Sequence, residues 1–258
     1  MNYAEIYEKL TPVLDPVKKA AAFAASGSKK MISGAEAGNW TELGKVLAGM
    51  EANVAAQQEA LAALREVYDS FDVPAYFISG DFEKQMVEAC EKKGVDVRML
   101  DAGNYEMFPY SLKISADRQE ITLNRKKVNT VSPAWLAQYV HDGQEKLNKA
   151  SFNVESFAKE LADAYETAVA VAGQKPGTAM NLNTVYKYLA PTARARKEYD
   201  MLSYAYDIAR LYNAHFSQMK DGRFLILGPG RGKAIRFLDA NGNEQQYVTL
   251  TVQKNKLD

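Results

Sequence analysis

Residues 40–71 have the sequence WTELGKVLAGMEANVAAQQEALAALREVYDSF, in which apolar residues recur at alternating intervals of three and four positions. This spacing keeps the apolar side chains along one side of an α-helix and is the seam pattern of a coiled coil. Asn39 or Thr41 can cap the start of the helix, and Asp72 and Pro74 end it. The predicted seam, interrupted once by a glutamine, consists of Trp40, Leu43, Leu47, Met50, Val54, Gln57, Leu61, Leu64, Tyr68 and Phe71.

The preceding segment supplies a partner for this helix. Residues 3–32 carry apolar side chains at helical spacing, and Pro12 and Pro16 are expected to kink or restart the helix. The polar stretch 33–39 predicts a turn, so we expect a long antiparallel, coiled-coil-like hairpin over residues 1–72. At 1.5 Å per residue the second helix is about 50 Å long, which is too long for a small domain to bury alone. The apolar residues of the first helix are Tyr3, Ile6, Leu10, Val13, Val17, Ala21, Ala24 and Met31.

Two interpretations of the hairpin stay open. It can be an ordinary layer of a helical bundle, or it can dock on a protein partner or on a second copy of this chain. In the second interpretation, Leu47, Leu61 and Leu64 are the predicted partner interface. The many alanines of both helices favour close approach, so a third helix from this or another chain could lie in the groove.

Residues 73–172 are predicted to form a small mixed α/β body with helices. Residues 75–78 have the composition of a buried strand, residues 82–93 that of an amphipathic helix, and residues 95–100 that of a second strand. This order predicts a βαβ unit with parallel pairing. A hairpin is expected from residues 111–115 and 120–124, and helices are expected to begin at Ser132-Pro133 and at Asn153. The glycine-rich residues 173–177 are the predicted linker to the third part.

Residues 178–258 are predicted to contain helices, including a long one over residues 191–219, and a C-terminal β-meander. The fold class is therefore α+β. Residues 227–237, LGPGRGKAIRF, have the glycines and basic residues of a phosphate-binding loop. A Walker loop requires a glycine where Leu227 stands, a hydroxyl residue where Ala234 stands, and a following helix. Asn241-Gly242 instead predicts a hairpin turn, so no nucleotide and no other cofactor is expected.

Basic residues accompany this loop. The C-terminal third carries more basic residues (Lys and Arg) than acidic ones (Asp and Glu), whereas the whole chain has 32 basic and 32 acidic residues. Clustered guanidinium groups and glycine-rich backbone suit a phosphate or an acidic partner surface. A solvated strand edge that discourages aggregation is the alternative. The predicted anion or nucleic-acid contacts are Arg223, Arg231, Lys233 and Arg236.

The remaining candidates have simpler interpretations. Cys90 is expected to be a core thiol, and His141-Asp142, followed by Gly143, a solvated helix end. Asp207 and Arg210 are interpreted as an ion pair that fixes helix packing, or as a polar site lined by tyrosines. With one Cys and two His, the chain lacks the ligands of an ordinary zinc site, and no metal site is predicted. No apolar run spans a membrane and no signal-peptide pattern is present, so a cytoplasmic protein without a membrane partner is expected.

Residues 108–140, FPYSLKISADRQEITLNRKKVNTVSPAWLAQYV, resemble bacterial accessory subunits encoded beside ATPases, including those of anti-phage defence systems. None of these residues is diagnostic of that group, so the resemblance carries no site. The leading hypothesis is a non-catalytic assembly or adaptor subunit of a larger cytoplasmic complex, because a sustained seam accompanies no recognisable catalytic constellation. Two alternatives stay open: a protein that contacts nucleic acid through its basic C-terminal third, and an enzyme whose site sequence alone does not assemble.

Overall fold

The structure is a computed structural model that describes residues 1–239 and 241–254. It confirms the α+β class, with a long N-terminal helical pair, a small sheet body and C-terminal strands. No helix within these residues combines the length and the apolar composition that crossing a membrane requires. The helices are α1 (Tyr3–Glu36), α2 (Trp40–Asp69), α3 (Val73–Ile78), α4 (Asp81–Lys92), α5 (Pro133–Lys149), α6 (Val154–Val171), α7 (Leu182–Leu189), α8 (Ala195–Glu198) and α9 (Met201–Asn213).

The strands form three sheets. They are β1 (Arg98–Asp101), β2 (Asn104–Met107), β3 (Tyr110–Ser115), β4 (Glu120–Leu123), β5 (Lys126–Val128), β6 (Met180–Asn181), β7 (Phe224–Gly228), β8 (Ile235–Leu238), β9 (Glu244–Tyr247) and β10 (Thr249–Gln253). Their orders are β1-β2-β3-β4-β5, β6-β10-β7 and β8-β9.

The chain divides into two compact units. The first comprises Met1–Ala89, Ser115–Glu120 and Asn129–Leu136, and the second comprises Cys90–Ile114, Ile121–Val128 and the described residues from Ala137 onward. The first unit is dominated by α1 and α2, and the second holds most strands and the helices α6, α7 and α9. The boundaries expected at residues 72 and 178 stay a prediction.

The predicted helical hairpin is confirmed. The side chain of Asn2 accepts a hydrogen bond from the Ala4 amide at the start of α1, and Asn39 does the same for Glu42 at the start of α2. Gly38 has a φ of 65°, which a residue without Cβ adopts without strain, and this completes the turn. The helix α1 runs unbroken through Pro12 and Pro16, so the predicted restart does not occur.

The βαβ prediction is wrong, because residues 75–78 lie in the helix α3. The Asp72 side chain accepts a hydrogen bond from the Ala75 amide at 2.9 Å, and Pro74 falls in the first turn, where its missing N–H costs no helical hydrogen bond. The pairings β1–β2, β2–β3 and β4–β5 are antiparallel. After β4 the chain turns back as β5, since Asn124 and Arg125 both have positive φ.

The predicted C-terminal meander is also wrong in its connections. The strand β7 pairs with β10, not with β8, and the turn at Asn241-Gly242 closes a separate hairpin between β8 and β9. The glycine-rich loop therefore joins two different sheets. The long helix expected over residues 191–219 is divided, because the Asp200 side chain caps a new helix, α9, by accepting from the Ser203 amide.

The helix α5 continues past Gly143, where a helix end was expected. A Cβ at this position would stand 1.9 Å from Oη of Tyr110, which packs from the strand β3. Gly143 is therefore required by the close approach of the tyrosine, and it does not end the helix. Gly44 in α2 has no such neighbour within 4 Å and serves as a comparison.

We expect Gly143→Ala to lower the free energy of unfolding by about 1–3 kcal/mol, because the new methyl group displaces Tyr110 from its packed position. Gly44→Ala should instead stabilise the protein by about 0.5–1 kcal/mol, as alanine favours a helix over glycine. Tyr110→Phe, which removes the nearest atom, should recover part of the Gly143→Ala loss. Chemical denaturation measures all three, and equal effects of the two alanines would contradict the close contact.

Candidate interaction surface

The seam between α1 and α2 agrees with the predicted one at every second position and is shifted by one residue at the others. On α2 it comprises Leu43, Val46, Met50, Asn53, Gln57, Ala60, Leu64, Val67 and Phe71, all buried or half-buried. On α1 it comprises Tyr3, Ile6, Leu10, Val13, Val17, Ala20, Ala24, Gly27, Met31 and Gly34. The predicted Ala21 is exposed, and its neighbour Ala20 is buried in its place.

Small residues allow the two helices to approach closely. A Cβ at Gly27 would stand 2.5 Å from Sδ of Met50, and one at Gly34 would stand 3.7 Å from Cδ1 of Leu43. The register is also fixed by a polar contact, since Nδ2 of Asn53 donates to the carbonyl of Ala20 at 3.0 Å. A polar residue in a coiled-coil seam specifies one alignment at some cost in stability.

Because the observed seam is shifted by one residue from the predicted one, a row of large apolar side chains remains on the surface of α2. We call it the outer stripe: Trp40, Leu47, Val54, Leu61 and Tyr68, whose exposed fractions are 79%, 48%, 51%, 46% and 68%. Each lies seven residues from the next, which is 20° short of two helical turns, so the row follows one side of the helix.

The helix α1 extends the apolar surface on the same flank. Tyr7 and Leu14 are 60% and 47% exposed, and each follows a seam residue by four positions, as Leu47 and Leu61 do. In an antiparallel pair, positions with this relation to the seam lie on one flank. Phe23 and Gly49, which each precede a seam residue, meet on the opposite flank, where a Cβ at Gly49 would stand 3.2 Å from Cζ of Phe23.

The predicted interface residues are therefore separated. Leu47 and Leu61 lie in the outer stripe, whereas Leu64 is half-buried in the seam with α1. The predicted seam also included Trp40, Val54 and Tyr68, which are exposed and lie outside the contact with α1. The sequence did contain a signal for this. Val46, Ala60 and Val67, each one residue before a predicted seam position, form a further apolar row that could face α1.

The predicted basic face does not include Arg223. This residue is buried, and its guanidinium group bonds three carboxylates: Asp163 at 2.9 Å, Glu166 at 3.1 Å and Asp221 at 2.8 Å. The hydrogen bond from Arg223 is the main reason that the pKa of Asp221 falls below its ordinary value of 3.8. The arginine thus ties α6 to the turn before β7 and is not available to a phosphate.

The other three basic residues also differ in their surroundings. Nε of Arg236 donates to Gln246 at 3.1 Å on the neighbouring strand. Arg231 and Lys233 are exposed, but their carbonyl oxygens accept from the Nδ2 atoms of Asn181 and Asn183, at 3.4 and 3.0 Å. Although the Lys233 residue as a whole is exposed, partial desolvation by neighbouring protein lowers the pKa of its amino group, with a smaller effect from the nearby charge of Arg125. The structure brings together Arg231 and Lys233, but not the four residues as one face.

Acidic side chains lie close to Arg236. Arg98 pairs with Glu106 and Glu244 at 2.7 Å each. Burial raises the pKa of Glu106 and outweighs the opposing attraction of Arg98 and Arg236. The charges on this part of the surface are therefore largely balanced.

Asp207 and Arg210 form a packing contact. Oη of Tyr199 donates to Asp207 at 2.9 Å, while Arg210 bonds Asp207 at 3.4 Å. Nη2 of Arg210 donates to the carbonyls of Leu147 and Asn148, at 2.6 and 3.0 Å, where α5 ends. A cation is favourable at the C-terminus of a helix. Burial raises the pKa of Asp207 despite these partners, and the group holds α9 against α5.

A cavity of about 910 Å³ lies beside α6 and the end of β10. Its lining includes Tyr165, Val169 and Val252, together with Arg223, whose charge is already met by three carboxylates. In the part of the chain that the structure describes, His, Cys, Asp and Glu side chains form no group of three or more able to hold a metal ion. Glu166, Gln174, Gln253 and Lys254 also line the cavity, so its wall is polar as well as apolar, and its carboxylate is already paired with Arg223.

We expect Arg223→Met to lower the melting temperature by several degrees, since it removes the hydrogen bonds of a buried guanidinium group to three half-exposed carboxylates. Arg231→Met is the matched control and should leave it unchanged, because exposed charges contribute little. The lowered pKa of Asp221 stabilises the fold above pH 3.8, and this contribution is lost as the pH falls through the lower folded-state value. Calorimetry should find the Arg223→Met penalty largest near pH 7. A penalty that does not shrink in acid would contradict the ion-pair assignment.

No protein-family model, curated protein or solved structure matches the chain. The functional argument therefore depends on the geometry of the outer stripe and on the charges described above.

Proposed function

We propose that this protein is a non-catalytic assembly or adaptor subunit that docks on another protein chain through the outer stripe of its helical hairpin. The observation that carries the proposal is the exposure of five large apolar residues at strict seven-residue spacing along α2. The row spans residues 40–68 of α2, which is about 42 Å along the helix. Soluble monomers rarely expose a continuous apolar patch larger than about 300–600 Å² unless it binds something.

The size of the surface supports a protein partner. The five stripe residues, with Tyr7 and Leu14, expose on the order of 800 Å², given that one aromatic side chain alone can bury about 150–250 Å². This approaches the roughly 800 Å² per partner of a standard protein–protein interface. Trp40 and Tyr68 at its ends are of the residue types that most often dominate binding energy.

The two alternative functions have less support. A basic face for nucleic acid would need Arg223, which is buried among carboxylates, and Arg236, which lies near Glu106 and Glu244. A catalytic site would need convergent reactive groups, and the charged side chains that line the cavity beside α6 are Lys254, Glu166 and Arg223, the last of which is paired with Glu166 and two further carboxylates.

The test replaces three stripe residues together, as Leu47→Gln, Val54→Gln and Leu61→Gln. Each side chain is about half exposed, so each should contribute about 1 kcal/mol to docking, and the triple variant should weaken it 100-fold or more. Tagged protein in extracts of the native host should then run at the mass of the free chain on native gels, while wild type runs within a larger complex.

The matched control changes three exposed residues on the side of α2 away from the stripe, as Ala52→Gln, Ala56→Gln and Glu59→Gln. Both triple variants should keep the wild-type melting temperature, because surface substitutions usually change stability by less than about 0.5 kcal/mol. A stripe variant that is folded and still runs within the complex would show that docking uses another surface.

A further inference from the structure

The outer stripe has the same order of side-chain types in both directions. From Trp40 to Tyr68 it reads aromatic, leucine, valine, leucine, aromatic, with Val54 at the centre and seven residues between members. If a second α2 lies antiparallel with its Val54 beside the first, each member of one stripe meets a member of similar size. Leu47 then meets Leu61 of the second copy, and Trp40 meets Tyr68 of the second copy. Such self-complementarity is what a two-fold interface requires.

We propose that the occupant of the outer stripe is a second copy of this chain, packed antiparallel about a two-fold axis at Val54. This inference rests on the proposed function, because it identifies the partner of the same docking surface. The two hairpins form a four-helix arrangement in which the stripes become a shared core. Tyr7 and Leu14 of α1 flank this core and enlarge it.

The charges beside the stripe are compatible with the antiparallel direction. The adjacent exposed row of α2 contains Gly44, Glu51, Gln58 and Arg65. In an antiparallel pair centred on Val54, Glu51 comes next to Gln58 of the second copy, and Arg65 next to Gly44 of the second copy. Neither contact opposes two like charges, so this row places no electrostatic barrier against the antiparallel pair.

The area is sufficient for a dimer of moderate affinity. Burying both stripes with Tyr7 and Leu14 removes on the order of 1,600 Å² from water in total, which is the size of a standard stable interface. The central Val54 and the two leucines are the least exposed members, and the aromatic residues lie at the ends. We therefore expect a dimer at micromolar concentration of the purified chain.

The test introduces one surface cysteine at a time, at positions where cross-linking between two copies depends on the direction of pairing. Val54→Cys should form a covalent dimer on mild oxidation, or with a short bis-maleimide, because the two-fold axis places the two thiols together. In the antiparallel pair Leu47→Cys lies about 21 Å along the helix from its own copy, and so does Leu61→Cys, so neither variant should link to itself. A mixture of these two variants should link. Wild type is the control, since its single thiol at Cys90 is buried.

Each outcome decides between defined possibilities. Cross-links of Val54→Cys, and of the Leu47→Cys and Leu61→Cys mixture alone, support the antiparallel dimer. Self-linking of all three single variants indicates parallel pairing and overturns the proposal. A monomeric mass for wild type at 50 µM, measured by light scattering, also overturns the second copy as the occupant.

The proposed function can fail separately. If the purified chain is monomeric but the Leu47, Val54 and Leu61 glutamine variant loses its complex in cells, the stripe docks on a different protein and only this inference fails. If a dimer forms and that variant remains a dimer, the dimer contact lies elsewhere and this inference fails, whereas the proposed function fails only if the same variant also still runs within the complex from host extracts.

Discussion

A pair of packed helices can bury only the side chains that lie between them, and this limit governs the N-terminal unit. The helix α2 carries three neighbouring apolar rows, but its contact with α1 covers two. Gly27 and Gly34 draw the helices together at the row that contains Met50 and Leu43. The third row, from Trp40 to Tyr68, consequently remains exposed, and the proposed function follows from this exposed apolar row.

The sequence was sufficient for the hairpin but not for its orientation. Leu43, Met50 and Leu64 were assigned correctly to the seam, because a seven-residue repeat is visible without knowledge of the partner helix. The choice between Leu47 and Val46, or between Leu61 and Ala60, required that partner. The rows of Leu47 and Val46 lie about 100° apart, on either side of the row of Leu43 and Met50, so the small residues of α1 decide which of them faces inward, and larger apolar side chains can be left exposed.

The other wrong predictions have a common cause. Each was made from local composition, and a specific hydrogen bond or ion pair decided the structure instead. Residues 75–78 are apolar like a strand, but the Asp72 cap and Pro74 begin a helix there. Arg223 was grouped with loop residues near it in sequence, although its partners Asp163 and Glu166 lie about 60 positions away. Contacts across such separations have no local signature, whereas caps such as Asn153, which was predicted correctly, are read from two or three residues.

The central claim is that the outer stripe is covered when the protein works, and Trp40 reports on it directly. In a Trp135→Phe background Trp40 is the single tryptophan, since the chain contains two. The measurement is quenching of Trp40 fluorescence by acrylamide, compared between the dissociated chain and the complex purified from the native host. The account predicts strong quenching in the dissociated chain, where Trp40 is largely exposed, and a several-fold lower quenching constant with a blue-shifted emission in the complex. Equal quenching in both states would contradict it, because the stripe would then remain in water.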